Sequence, residues 1–199
     1  MPGMPIMLHF AIIVTNNVTK LKIYTYIIYK DAFYKVYPNF YNGGIMMAIS
    51  DLISNGDFEN GALSSWVGIN TSVSSTSHLG SFAVQFQNSE IPSVIYQIIN
   101  GTFDQEVELL ASVSKIGELI NPPIAIVLTY FSVNFTYLGT GLVLAIPEGS
   151  LEDNSWQRFY KTSTPAPAGT TFAVLSVTKS VLSDSAEILV DDISLIATK

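Results

Sequence analysis

The chain has 199 residues, a formal net charge of −7 and no cysteine; 48% of its residues are hydrophobic and only 13% are charged. Without cysteine there are no disulfides, zinc–thiolate sites, iron–sulfur clusters or thiol nucleophiles, and with His9 and His78 as its only histidines a multi-histidine centre is all but excluded. The acidic balance argues against a nucleic-acid partner, which needs a basic face to neutralise phosphates.

Residues 1–46 are compositionally apart. They carry Lys20, Lys22, Lys30 and Lys35 against Asp31 alone, a net +3, whereas residues 47–199 hold 5 basic and 15 acidic groups, a net −10. Their apolar run, residues 6–14, is about half a membrane span. It has no basic flank before it and no small-residue cleavage site after it, so it reads as neither a transmembrane segment nor a signal peptide. Three readings stay open for residues 1–46: an interfacial arm using Tyr24, Tyr26 and Ile28 beside lysines, a short extra hairpin, or a disordered or untranslated leader ahead of a start at Met46 or Met47. The Ile-, Lys-, Tyr-, Asn- and Phe-rich text and Gly43-Gly44 before the methionines favour the last.

From residue 47 the text turns to Ser, Thr, Gly, Asn and alternating apolar residues. Phe82, Val84 and Phe86 alternate with Ala83 and Gln85, as in a half-buried strand. Residues 94–99 and 107–114 follow, and Asn121-Pro122-Pro123 breaks the chain before residues 124–131, apolar enough for a central strand. Residues 142–146, 156–162, 172–178 and 188–196 complete nine or ten short strands with turns every 8–12 residues. That pattern predicts an all-β fold, an antiparallel two-sheet β-sandwich over residues 47–199.

The opening Asn55-Gly56-Asp57-Phe58-Glu59-Asn60-Gly61, Trp66 shortly after, His78-Leu79-Gly80-Ser81-Phe82-Ala83, and the closing Val190-Asp191-Asp192-Ile193-Ser194-Leu195 resemble the jelly-roll carbohydrate-binding modules appended to xylanases and glucanases. Residues 49–196 look more closely like the NTTRR-type N-terminal domain found ahead of collagen-like repeats in spore-forming bacteria. That likeness includes Trp66-Val67-Gly68-Ile69-Asn70 and Thr164-Pro165-Ala166-Pro167-Ala168-Gly169, although no Gly-X-Y repeat follows. The resemblance implies a jelly roll whose first and last strands are neighbours, with Trp66 in the core. It also implies a structural Ca²⁺ held by Glu59 and Asp192, with Asp57 in the same turn as a further ligand. Hard carboxylate and carbonyl oxygens suit that ion. The alternative for the same residues is a carboxylate accepting backbone N–H groups.

Glycan recognition would use exposed aromatic faces bracketed by amides. The candidates are Tyr130, reasoned to face outward beside Phe131, Tyr96 with Gln85 on the preceding strand, and Trp156. Catalysis finds little support: His78 is the one histidine after residue 47, a serine triad needs a positioned base, and no phosphate loop or cofactor motif is present. Two functions remain. One is a non-catalytic surface and assembly domain, homo-oligomeric, on a spore-coat or exosporium-type protein without a recognisable signal peptide. The other is a carbohydrate-binding module proper. An apolar outer patch around Leu110 and Leu175 would favour the first, and a groove with two coplanar aromatics the second.

Overall fold

The computed structural model describes residues 6–10, 24–29, 32–36, 49–101, 103 and 105–198, every regular element among them being a strand. The chain divides into two units, Met1–Met47 and Ala48–Lys199. In the first, β1 (Ile6–Phe10), β2 (Tyr24–Tyr29) and β3 (Ala32–Val36) pair antiparallel in that order. The remaining residues of that segment, on which its three readings largely depend, lie outside the described residues.

The second unit contains β4 (Ile49–Asp51), β5 (Val67–Ile69), β6 (Thr71–Ser74), β7 (Ala83–Phe86), β8 (Ser93–Asn100), β9 (Val107–Ile116), β10 (Ile124–Phe131), β11 (Tyr137–Ile146), β12 (Gln157–Thr162), β13 (Phe172–Lys179) and β14 (Glu187–Thr198). They form the predicted two-sheet sandwich. One sheet runs β11-β10-β13-β8-β5; the other runs β12-β9-β14-β7-β6, with β4 also on β14. Every pairing is antiparallel.

Strict alternation builds the core. Along β10, Ile124, Ile126, Leu128 and Tyr130 are buried while the residues between them are partly exposed. Ile95 and Ile99 of β8, Leu175 and Val177 of β13, Leu109 and Val113 of β9 and Val190 of β14 close the layer. Sequence reading missed β5 and β6. They are short, and one left-handed residue, Asn70 at φ 54°, turns the chain from one sheet to the other. The Asn70 side-chain amide bonds the Ser89 and Ser93 hydroxyls at 2.8 and 2.7 Å, which holds that turn in place.

β14 is the central strand of its sheet and carries a bulge. Its register on β9 shifts between Asp191 and Ser194, and Asp192 adopts φ 48°. Before the bulge β14 pairs with β7, and after it with β4. The gap between those partners is filled by the opening turn, whose Gly56 carbonyl accepts the Ile193 amide at 2.9 Å. A Cβ on Gly56 would lie 1.9 Å from the Ile193 carbonyl oxygen, so only glycine lets the turn approach β14 this closely. The expected adjacency of first and last strands is therefore present. Trp66 is buried as expected, its indole donating to the Asn55 carbonyl at 2.9 Å and its ring 5.9 Å from that of Phe58.

Candidate functional site

Of the residues read as calcium ligands, Glu59 and Asp192 meet the loop of residues 75–82, which covers the β14 bulge, whereas Asp57 stays within its own turn. Glu59 Oε1 accepts the Ser81 and Phe82 amides at 2.7 and 2.9 Å. Asp191 is fully buried; its Oδ2 accepts the His78 and Leu79 amides at 2.9 and 3.3 Å, and its Oδ1 accepts the Asp192 amide at 2.8 Å. Asp192 Oδ2 lies 2.7 Å from His78 Nδ1. Asp57 Oδ1 accepts the Glu59 amide at 3.4 Å within its own turn. Gly80 has φ +73°, and a Cβ there would sit 2.3 Å from Glu59 Oε1, so the glycine step lets the carboxylate dock on the loop. Two carboxylates thus hold four loop amides and a third holds the loop's imidazole. This donor set fits a hard cation poorly. His78 bonds Asp192, and among the described residues no group of three or more His, Asp or Glu is placed to hold a metal ion.

Ser112, His78 and Asp192 lie together without forming a catalytic triad. The Ser112 hydroxyl, 3.3 Å away, and Asp192 both meet the same ring nitrogen, Nδ1. A relay needs the nucleophile on one nitrogen and the acid on the other. The nearby Trp156 ring, half-buried, packs 5.4 Å from His78.

The residues read as glycan contacts do not share one site. Tyr130 is buried, contrary to expectation. It follows Ile124, Ile126 and Leu128 into the core, where its hydroxyl reaches the Thr164 carbonyl at 3.2 Å and the Ser163 hydroxyl at 3.4 Å. Phe131 is the member of the pair that faces out, stacked on Phe172 at 5.3 Å and 10°. Gln85 and Tyr96 sit on consecutive strands in different sheets. Gln85 donates to Glu187 Oε2 at 2.6 Å, whereas Tyr96 lies on the outside of the five-stranded sheet between Val67 and Ser176. Trp156 precedes β12, at the far edge of the six-stranded sheet.

Sequence reading placed the apolar patch elsewhere. Leu175 points into the core and Leu110 is half-buried on the other sheet. The patch is the outer face of the five-stranded sheet. Across its middle run Val67, Tyr96, Ser176, Val127 and Val143, each paired with the next. The adjoining row is Ile69, Val94, Thr178, Ala125 and Ala145. On the other side lie Ile98, Val174, Thr129 and Thr140, then Asn100, Phe172, Phe131 and Tyr137. No Asp, Glu, Lys or Arg stands in these rows. Val67, Ile98 and Val143 keep 48, 49 and 46% of their surface exposed. Beyond the last row Phe135, 73% exposed, packs edge-on to Phe172 at 5.0 Å. These rings stack on one another and do not form a coplanar platform. The signal was present in the text: residues 94–99, 124–131 and 142–146 are apolar in both phases of the alternation, whereas a strand with one solvated face should be apolar in one.

No protein-family model matches the chain, and no curated protein does. Solved structures match. The enzymatically active domain of tailspike protein 4 of bacteriophage CBA120 superposes with a TM-score of 0.59 at 11% identity over 75% of this chain, which spans only 21% of that one. A family 16 carbohydrate-binding module gives 0.56 at 19% identity over 72% of this chain and 98% of its own. A CBM22 xylan-binding domain from Paenibacillus barcinonensis gives 0.54 at 14% identity over 77% and 97%. At these identities the likeness shows the fold: a jelly-roll β-sandwich of the carbohydrate-binding-module type. No helix among the described residues is long and apolar enough to cross a membrane.

Proposed function

We propose that the chain is a non-catalytic assembly domain of a bacterial spore-surface protein, of the coat or exosporium type, built on a carbohydrate-module jelly roll. The observation that carries this reading is the outer face of the five-stranded sheet, apolar and uncharged on a unit whose residues 47–199 carry a net −10. Such a face costs solubility unless a partner covers it. The shared use of His78 Nδ1 by Ser112 and Asp192 supports the non-catalytic part. The spore-surface placement rests on the sequence resemblance of residues 49–196 to NTTRR-type domains alone, as no family model matches the chain.

The test substitutes Ile98→Lys and Val143→Lys, separately, in the full chain. Both side chains point outward, so the far-ultraviolet circular dichroism should stay that of the parent while assembly is lost. Unchanged assembly in both variants would refute the reading. A second reading, a glycan-binding module proper, is favoured by Tyr96 at the centre of the same face with the Ser176 hydroxyl beside it. Retardation of the chain in a xylan-containing gel, abolished by Tyr96→Ala, would decide for that reading.

A further inference from the structure

We propose that the outer face of the five-stranded sheet seats a second copy of this chain, packed face to face about a two-fold axis running across the strands. The proposal rests on the assembly reading above and names its partner. Three observations carry it.

The first is charge. Two identical units, each with a net −10 over residues 47–199, repel wherever their acidic surfaces meet. The four rows of this face hold no Asp, Glu, Lys or Arg, so here two copies can approach without desolvating like charges.

The second is area. β8, β10 and β13 have eight residues each and β11 ten, so four strands about 27 Å long span about 19 Å, and the three-residue β5 adds a corner. Two such faces bury about 1,100 Å², near the lower end of specific interfaces. Two sheets packed at about 30°, some 10 Å apart, are also the ordinary geometry by which Val- and Ile-rich faces interdigitate.

The third is shape. Along β10 the outward residues run Ala125, Val127, Thr129, Phe131, and along β11 they run Ala145, Val143, Thr140, Tyr137. Both strands are small at one end and aromatic at the other. A two-fold axis across the strands lays each strand antiparallel over its own copy. Phe131 then meets the partner's Ala125, Tyr137 meets the partner's Ala145, and Tyr96 meets the partner's Ile98. Half of the residues in these rows are aliphatic, and that half offers a saccharide's hydroxyls no hydrogen-bond partner.

The absence of cysteine makes the test clean. Single-cysteine full chains, Val127→Cys on this face and Ser194→Cys on the outer face of the other sheet, are treated with a short bis-maleimide. The expected result is a covalent dimer from Val127→Cys and none from Ser194→Cys. Adding Ile98→Lys should cut the Val127→Cys product at least about tenfold, since it buries an unpaired charge at the contact. Ala125→Trp should also cut it, because the small end no longer accepts Phe131. A dimer formed only through Ser194→Cys, or a Val127→Cys product indifferent to Ile98→Lys, overturns the face while leaving assembly standing. No product from either, with the untreated parent at the mass of one chain, overturns both.

Discussion

Burial raises Asp191 to about 6, the charge of Asp192 adds to the effect, and amide donors from Asp192, His78 and Leu79 oppose it. A carboxyl whose pKa is higher folded than unfolded binds its proton more tightly in the native state. Its contribution to stability is therefore full below about 3.8 and is lost as pH rises through about 6. Roughly two units at about 1.4 kcal/mol each make this about 3 kcal/mol. Asp191→Asn removes the ionisation and keeps one acceptor oxygen. The stability of the variant relative to the parent should improve by that order between pH 4 and pH 7 in denaturant titrations, whereas a pH-independent difference would contradict the assignment.

Glu59 and Gly80 are coupled through the same loop. Glu59→Ala strands two amides and should cost about 1 kcal/mol, the loop being solvated. Gly80→Ala should cost more, from its left-handed backbone and the contact with the carboxylate. The double variant should be more stable than the sum of the two losses implies, because removing the carboxylate also relieves the contact. Strict additivity would mean that the two do not touch. Because His78 and the loop amides occupy the carboxylates, the melting temperature should not respond to calcium or chelator. A calcium-dependent rise erased by Glu59→Gln would restore the ion implied by the family resemblance.

At the scale of the strand, alternation was legible wherever one phase was clearly apolar. It placed the strands of residues 82–86, 107–114 and 172–178 and gave the two-sheet class. It failed at Tyr130-Phe131, where both phases are aromatic and one of the two must face out. The register of β10 decides instead, and Ser163 and Thr164 supply the buried phenol with partners. Tyr130→Phe should consequently cost only about 1 kcal/mol, against about 3–5 kcal/mol for Tyr130→Ala, as read from denaturant titrations. The pairing of Gln85 with Tyr96 failed for a different reason. Consecutive strands were assumed to be neighbours, and in a sandwich the β7–β8 connection crosses between sheets. Edge protection was not legible either. The outer edge of β11 is covered by Lys161, whose Nζ donates to the Val143 carbonyl at 2.8 Å, and by the Thr164 amide on the Gly141 carbonyl at 2.7 Å. Those contacts occupy the β11 edge of the sheet.

For the whole molecule, the contrast that matters is between an acidic unit and one uncharged face. Association through that face works against long-range repulsion, so salt should strengthen it by screening, the reverse of an interface built on ion pairs. The most direct measurement is sedimentation equilibrium of the full chain across micromolar concentrations, at low and at high sodium chloride. The expected result is a species at twice the 21.7 kDa of the single chain, populated more fully as salt rises. A single-chain mass at every concentration and ionic strength would contradict the assembly function.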